Sequence, residues 1–230
     1  MVKAWYDALV HVFYPSLCYG CNNELIQGNQ FICLQCQSEL GRTQFEDIRN
    51  NPVEKLFWGR AEIQFAASTF YYIDKTPLQQ IIHQIKYREE KELGIHMGEI
   101  MGVHGSALFN AFETDLCIPM PLHPKKEYKR GYNQATLLCE GIFRQTGIPH
   151  NEKALVRNEN TRTQTKKSRI ERWENVASVF DVCEPSIIKD KHIVVVDDVI
   201  TTGASTEACI NILMQHGAKS AGIYSLAFTL

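Results

Sequence analysis

Short apolar runs alternate with amphipathic stretches along the second half of the chain. The apolar runs predict buried strands at residues 116–118, 154–156, 192–196 and 218–226. The amphipathic stretches predict helices at residues 132–145 and 205–215. Strands and helices that alternate with short loops are typical of a parallel sheet covered by helices on both faces. The pattern therefore predicts an α/β fold whose ligands bind at the carboxyl ends of the strands.

The pattern before residue 115 is less regular. Residues 63–73 are rich in β-branched and aromatic side chains, which predicts strands arranged as a hairpin. A helix is expected to begin at Pro77, because apolar positions then follow the helical spacing at Leu78, Ile81, Ile82 and Ile85. A second helix is expected at residues 91–112, where several glycines leave room for close packing of another backbone.

Three units are predicted from these patterns. Residues 1–42 hold an amphipathic helix, ended by Pro15, and a cysteine-rich module that is too short to fold on an apolar core alone. Residues 43–60 are polar and irregular and are predicted to be a linker. Residues 61–230 form the α/β domain.

Composition and charge limit the classes of function. The 230 residues are 44% hydrophobic and 22% charged, which is typical of a soluble protein. The net charge of −2 excludes a basic field over the whole molecule, so any nucleic-acid surface must be local. No apolar run approaches the roughly 20 residues that span a bilayer, and the first residues do not resemble a signal peptide. A cytoplasmic protein is expected.

Four of the eight cysteines follow the spacing C-x2-C-x11-C-x2-C, namely Cys18, Cys21, Cys33 and Cys36. Each C-x2-C pair places two thiolates on one tight turn, and two such turns complete a tetrahedral zinc site. Two disulfides or a redox C-x-x-C motif are the alternatives, but disulfides need an oxidising compartment. A closed site of four thiolates leaves no position for a substrate, so the zinc is predicted to be structural or to serve partner binding.

The most specific signature follows the predicted strand 192–196. Asp197 and Asp198 come at the end of this strand, and the sequence Thr-Thr-Gly-Ala-Ser at residues 201–205 then leads into a helix. Backbone N–H groups, hydroxyls and the helix dipole at such a turn favour a phosphate. The whole run resembles the pattern with which type I phosphoribosyltransferases bind phosphoribosyl pyrophosphate (PRPP). An ordinary strand end with a tight turn is the alternative.

The site predicted from this signature has two parts. The paired acids are placed to meet sugar hydroxyls or a metal ion, so the candidate catalytic residues are Asp197 and Asp198. The candidate PRPP-binding residues of the turn are Thr201, Thr202, Gly203, Ala204 and Ser205.

Two basic segments extend this prediction. A stiff proline-rich loop, followed directly by cations, suits a pyrophosphate, although it is also compatible with a solvated helix start. Residues 157–175 hold six cations against three acids, which favours a lid over an anionic substrate or a contact with a DNA backbone. The further PRPP-binding candidates are Pro119, Met120, Pro121, Leu122 and Lys86, unless Lys86 only complements its helix dipole. The candidate lid or DNA contacts are Arg130, Arg162, Gln164, Lys166, Arg169 and Arg172.

Together these segments resemble the ComF family, which includes ComFC and the GntX-like proteins. The resemblance covers nearly the whole chain and departs at Lys167, where the family usually carries leucine. It rests on the following features: Pro15, the four cysteines, Ile85-Lys86-Tyr87, Pro119-Met120-Pro121-Leu122, Arg130-Gly131-Tyr132-Asn133-Gln134, Thr161 with Gln164, Arg172 with Asn175, and the run from Asp197 to Ser205.

The resemblance implies a type I phosphoribosyltransferase fold with an amino-terminal zinc finger. It also implies binding of PRPP or a related ribose phosphate with Mg²⁺, and a part in handling incoming single-stranded DNA during natural transformation. The expected partners are a ComFA-like helicase and a DprA-like loader. The alternative is an active phosphoribosyltransferase of nucleotide metabolism with no DNA role. The sequence leaves open whether a transfer reaction is catalysed.

Overall fold

A four-stranded parallel sheet forms the centre of the computed structural model, which describes residues 15–25, 31–157 and 179–229. Its strands lie in the order β1, β6, β5, β2, and their apolar β-branched residues are buried, as expected for a sheet covered on both faces. The strand bounds are β1 Phe65–Tyr72, β2 Leu116–Pro119, β3 Leu155–Arg157, β4 Phe180–Val182, β5 His192–Ile200 and β6 Ser220–Thr229. Strands β3 and β4 pair antiparallel as a separate ribbon.

Helices cover this sheet in two layers. Helices α4 and α6 lie on one face, and α8 packs on β5 and β6 from the other. The helix bounds are α1 Leu34–Glu39, α2 Pro52–Lys55, α3 Pro77–Tyr87, α4 Lys91–Ala111, α5 Pro124–Arg130, α6 Gln134–Thr146, α7 Pro185–Ile188 and α8 Ala204–Gln215. The predicted α/β fold with a covered parallel sheet is confirmed.

The glycines of α4 explain how its layer is packed. A Cβ atom on Gly98 would lie 2.3 Å from the carbonyl oxygen of Leu138, and one on Gly141 would lie 2.1 Å from that of Ile95. Neither position has room for a side chain. The glycines therefore let the backbones of α4 and α6 touch, which places the two helices close over the sheet.

The structure differs from the sequence prediction in the following elements. Residues 63–73 form the single strand β1 and not a hairpin, because β1 pairs in parallel with β6. Strand β5 continues to Ile200, so the acid pair lies within the strand and not beyond it. Helix α5 begins one residue after His123, where a loop was expected, and β4 was not predicted.

Residues 43–60, predicted to be a linker, pack on the sheet. Asn51 caps α2 by accepting hydrogen bonds from the backbone N–H groups of Val53 and Glu54 at 2.9 and 3.0 Å. Its side-chain amide donates to the carbonyl oxygen of Ala66 in β1 at 2.8 Å. Val53 and Phe57 are fully buried. This segment is thus joined to the core of the α/β domain, while the three-unit division itself stays a prediction.

Two predicted elements lie outside the described residues. They are the helix at residues 1–15, apart from Pro15, and the basic segment from residue 158 to residue 175. Among the helices that the structure describes, none combines the length and the apolar character that crossing a membrane requires.

Candidate functional sites

The acid pair lies near the carboxyl end of β5, between two neighbouring strands. Asp197 and Asp198 are half-buried, and the backbone N–H of Asp198 donates to Oδ1 of Asp197 at 2.8 Å. The Nζ atom of Lys86, at the end of α3, lies 2.8 Å from Oδ2 of Asp198. The fold therefore brings the cation of α3 to the acid pair, as one of the two interpretations of Lys86 predicted.

Burial raises the proton affinity of Asp197. The pKa of Asp197 is raised well above its usual range, first because burial disfavours the charged carboxylate and second because Asp198 is negatively charged beside it. The hydrogen bond from the Asp198 N–H and the charge of Lys86 act in the opposite direction. Two adjacent carboxyl groups at this position are suited to bind the hydroxyls of a sugar or a divalent cation.

The turn after the acid pair is an open anion cradle. Thr201, Thr202, Ala204 and Ser205 are exposed, and α8 begins at Ala204. The N–H groups in the first turn of a helix have no acceptor inside the helix, and the helix dipole favours negative charge at this end. The turn therefore offers backbone donors and hydroxyls in the arrangement that suits a phosphate.

Two residues from the segment predicted as a linker support this turn. Gly203 adopts a left-handed conformation with φ of +71°, and a Cβ atom there would lie 2.8 Å from Cζ of Phe57. The guanidinium of Arg60 donates to the carbonyl oxygen of Thr202 at 3.1 Å and pairs with Glu207 at 2.5 Å. Sequence reasoning missed both residues. The apolar Phe57 within a polar stretch is the signal that could have indicated a buried segment.

The proline-rich loop lies on the strand next to the acid pair. Pro119 pairs with Val196 of β5, and the N–H of Met120 continues the ladder by donating to the carbonyl of Val196 at 2.8 Å. The amide of Asn133 donates to the carbonyl of Met120 at 2.9 Å. The loop, the acid pair, the turn and Lys86 thus meet at one edge of the sheet, the edge at which the sequence placed them.

A basic cleft adjoins this edge. Its volume is about 310 Å³, and it separates helix α5 from the end of α3. The guanidinium of Arg130 lies 5.2 Å above the ring of Tyr87 and donates to the side chain of Gln134 at 2.6 Å. The residues that line the cleft are Lys86, Tyr87, Glu89, Lys126, Lys129 and Arg130.

The four predicted metal ligands form a second site. The sulfur atoms of Cys18, Cys21, Cys33 and Cys36 all lie within 4.8 Å of one another, and those of Cys21 and Cys33 are 3.8 Å apart. Four thiolates about 2.3 Å from one zinc ion are separated by about 3.8 Å. A disulfide would need about 2.05 Å between the sulfurs. The cluster therefore fits a metal ion held by four cysteines, consistent with structural zinc.

Backbone donors support the thiolate form of this cluster. Burial tends to raise the pKa of Cys18, but hydrogen bonds from the backbone of Cys33, Cys21 and Gly20 outweigh it and lower the pKa to about 6. The N–H groups of Gly20 and Cys33 lie 3.4 and 3.3 Å from the sulfur of Cys18. Metal ligation needs deprotonated cysteine, so this backbone arrangement favours it.

The cysteine module is attached to helices α3 and α4. A Cβ atom on Gly20 would lie 3.0 Å from Pro77 at the start of α3. The hydroxyl of Tyr19 donates to Glu90 at 2.9 Å, and the rings of Phe31 and His96 are 5.1 Å apart. The module thus packs on α3, the helix that supplies Lys86 to the acid pair, and on α4.

The parallel sheet with its covering helices has the fold class of the type I phosphoribosyltransferases. A family model described as a phosphoribosyl transferase domain matches residues 153–229. Among solved structures, a glutamine PRPP amidotransferase from B. subtilis matches with a TM-score of 0.43 at 20% identity, covering 58% of this chain and 26% of that chain.

Three similar proteins match longer stretches of this chain than the family model does. The DNA utilization protein YhgH of Shigella flexneri is 29% identical over 157 residues, which cover 67% of this chain and 68% of that protein. Competence protein F of Haemophilus influenzae is 26% identical over 95% of this chain and 93% of its own length. Competence protein ComFC of Bacillus subtilis is 26% identical over 93% and 83%. The chain is thus similar to the ComF and ComFC proteins over most of its length, as its motifs predicted.

Proposed function

We propose that the acid pair and the turn at residues 201–205 bind PRPP, or a closely related ribose phosphate, together with Mg²⁺. The observation that carries this proposal is the position of a half-buried pair of carboxylates directly before an open turn rich in phosphate donors. A phosphate alone gains nothing from two adjacent acids. A ribose phosphate whose hydroxyls are free gains hydrogen bonds from the acids and phosphate contacts from the turn.

Each part of the site has a role in this proposal. The turn holds the 5′-phosphate, and Asp197 and Asp198 orient the ribose hydroxyls. Mg²⁺ supplies positive charge to the pyrophosphate when it is bound. In the free protein Lys86 compensates Asp198 at 2.8 Å, and in the complex its ammonium group is available for an anionic oxygen of the pyrophosphate. The chain acts by positioning and charge, and it supplies no nucleophile.

The biological part of the proposal is the handling of incoming single-stranded DNA during natural transformation. The names of the relatives support it, since two are competence proteins and one is a DNA utilization protein. A ComFA-like helicase and a DprA-like loader are the partners that this role implies. The lid or DNA roles of Arg162, Gln164, Lys166, Arg169 and Arg172 remain predictions, because these residues lie outside the described part of the chain.

Calorimetry with PRPP tests the ribose-phosphate site. The change Asp198→Asn removes a charged acceptor, and the loss of one charge-assisted hydrogen bond, worth roughly 1.5–3 kcal/mol, should weaken PRPP binding in Mg²⁺ about ten- to a hundredfold. Asp190→Asn is the matched control, because Asp190 is exposed and precedes β5 at the opposite edge of the sheet. Equal PRPP affinity in both variants would remove the acid pair from the site.

A further inference from the structure

We propose that helix α5 and the end of helix α3 form the surface that binds the phosphate backbone of single-stranded nucleic acid. This inference rests on the proposed DNA role and assigns it a place on the molecule. We name this surface the α5 strip, and define it by the residues Lys86, Tyr87, Lys126, Lys129 and Arg130.

The charge of α5 is unlike that of the chain as a whole. The seven residues of the helix hold four cations, Lys125, Lys126, Lys129 and Arg130, against the single acid Glu127, whereas the whole chain has a net charge of −2. Lys125, Lys126 and Lys129 are exposed. Concentrated exposed cations on a weakly acidic protein attract a polyanion at this place.

The shape of the strip suits a chain of phosphates. The cleft of about 310 Å³ between α5 and the end of α3 is lined by four cations and one acid. Arg130 is held at one wall by the ring of Tyr87 at 5.2 Å and by Gln134 at 2.6 Å. The strip therefore combines one fixed guanidinium with the exposed lysines Lys126 and Lys129.

An exposed aromatic ring selects single strands over duplexes. Tyr87 lines the cleft and is 59% exposed. Unpaired bases stack on such rings whatever their sequence, whereas the bases of a duplex are already stacked on each other. A cationic strip that served only a free phosphate or pyrophosphate would not need an exposed ring.

The strip is held rigidly beside the ribose-phosphate site. His123 caps α5 by accepting from the N–H of Lys125 at 3.2 Å, and Gly131 ends the helix in a left-handed conformation. The loop before α5 is fixed to β5 through Met120. Because Lys86 both lines the cleft and pairs with Asp198, a strand on the strip lies next to the ribose-phosphate pocket.

Charge reversal with a matched control tests the inference. We would measure binding of fluorescent oligothymidylates of increasing length to the full chain, with Lys126→Glu and Lys129→Glu combined. The control combines Lys189→Glu with Lys219→Glu, which makes the same change of net charge at exposed lysines before β5 and β6, at the opposite edge of the sheet. Melting curves would establish that both variants are folded.

The α5 variant should bind about tenfold more weakly or worse, and its slope of log K against log salt should flatten by about 1.4, or 0.7 for each lost phosphate contact. The control variant should retain the wild-type slope of log K against log salt. Tyr87→Ser should weaken binding about five- to a hundredfold without altering the slope, because stacking carries no charge. In the wild type, affinity should rise with oligonucleotide length.

The other outcomes separate this inference from the proposed function. If the wild type binds oligonucleotides but the α5 and control variants weaken equally, the strip is wrong and the DNA role stands. If binding is independent of length and inorganic pyrophosphate displaces the strand completely, the cleft is a pyrophosphate subsite and the inference is overturned. If the wild type binds no oligonucleotide at all, the DNA role fails together with the strip.

Discussion

The four-cysteine cluster and the acid-pair turn are both marked by short motifs, yet they are assembled differently. All four sulfurs of the cluster come from residues 18–36, and the N–H donors around Cys18 come from the same segment. The turn at residues 201–205 depends on residues far away in sequence, since Phe57 and Arg60 support it and Lys86 reaches its acid pair.

This difference determines what each site needs in order to form. A module as short as residues 16–42 has little apolar core, so the metal is expected to supply most of its folding free energy. The acid-pair turn is held in place by the packed sheet and by contacts from distant segments. The first site should fail when its metal is removed, whereas the second should fail when its distant supports are changed.

The largest effect on folding is expected from the loss of one predicted zinc ligand. Cys33→Ser should abolish metal binding, because zinc in small modules contributes about 10–16 kcal/mol of apparent binding free energy that is also folding free energy. Residues 16–42 should then lose protection from hydrogen exchange, while residues 115–229 keep theirs. Metal analysis should find one zinc per chain in the wild type and none in the variant.

Cys183→Ser is the control for this experiment, since Cys183 is an exposed free cysteine outside the cluster. The prediction is wrong if the purified wild type holds no zinc or if mass analysis finds two disulfides. It is also wrong if exchange protection is lost equally in the module and in the sheet, because the module would then not be autonomous.

A smaller effect is expected from filling the contact between Gly203 and Phe57. Gly203→Ala should cost about 1–2 kcal/mol for a side chain in the left-handed region and about 1–3 kcal/mol more for overpacking against the ring. Gly147→Ala is the matched control, since Gly147 has φ of +74° and a Cβ atom added there would meet no other atom within 4 Å. Denaturant unfolding would compare the two variants.

PRPP affinity should fall in the Gly203 variant and not in the Gly147 variant, because only the first shifts the phosphate turn. If both variants lose the same free energy of unfolding, the contact with Phe57 does not constrain the turn. The dependence of this site on a distant support would then have to be rejected.

The smallest effect on stability is expected from a substitution of Asp197 in the acid pair. Folding raises the pKa of Asp197 above its ordinary value of 3.8, so the folded protein binds this proton more tightly than the unfolded chain. Stability from this group is therefore present at low pH and decreases as the pH rises above about 4. Asp197→Asn should raise the melting temperature at pH 8 and leave it nearly unchanged at pH 3.

The same variant should lose PRPP binding, since the carboxylate that costs stability is the one proposed to meet the ribose. Thermal melts of Asp197→Asn and of the exposed control Asp190→Asn across this pH range would check the sign. A variant that is less stable than the wild type at pH 8 would show that Asp197 is stabilised as a carboxylate in the free protein.

Local patterns predicted the parts whose interactions are short in sequence. The helical spacing of Leu78, Ile81, Ile82 and Ile85 located α3, and the β-branched run before Asp197 located β5. The hairpin expected at residues 63–73 was wrong, because pairing partners are chosen across the sheet, and β6 lies far along the chain. The apolar and polar positions of residues 43–60 likewise follow no helix or strand period, because their partners lie outside the segment. Asn51 bonds to β1, and Phe57 contacts Gly203.

The sequence by itself determined the α/β class, the four metal ligands and the acid-pair turn, because each depends on neighbouring residues and on a fixed local geometry. Only the tertiary structure decided that Lys86 pairs with Asp198, that Phe57 and Arg60 support the turn, and that α5 and the end of α3 enclose a basic cleft. The physical reason is that these contacts join surfaces whose approach is set by packing of the whole sheet. No local spacing carries that information.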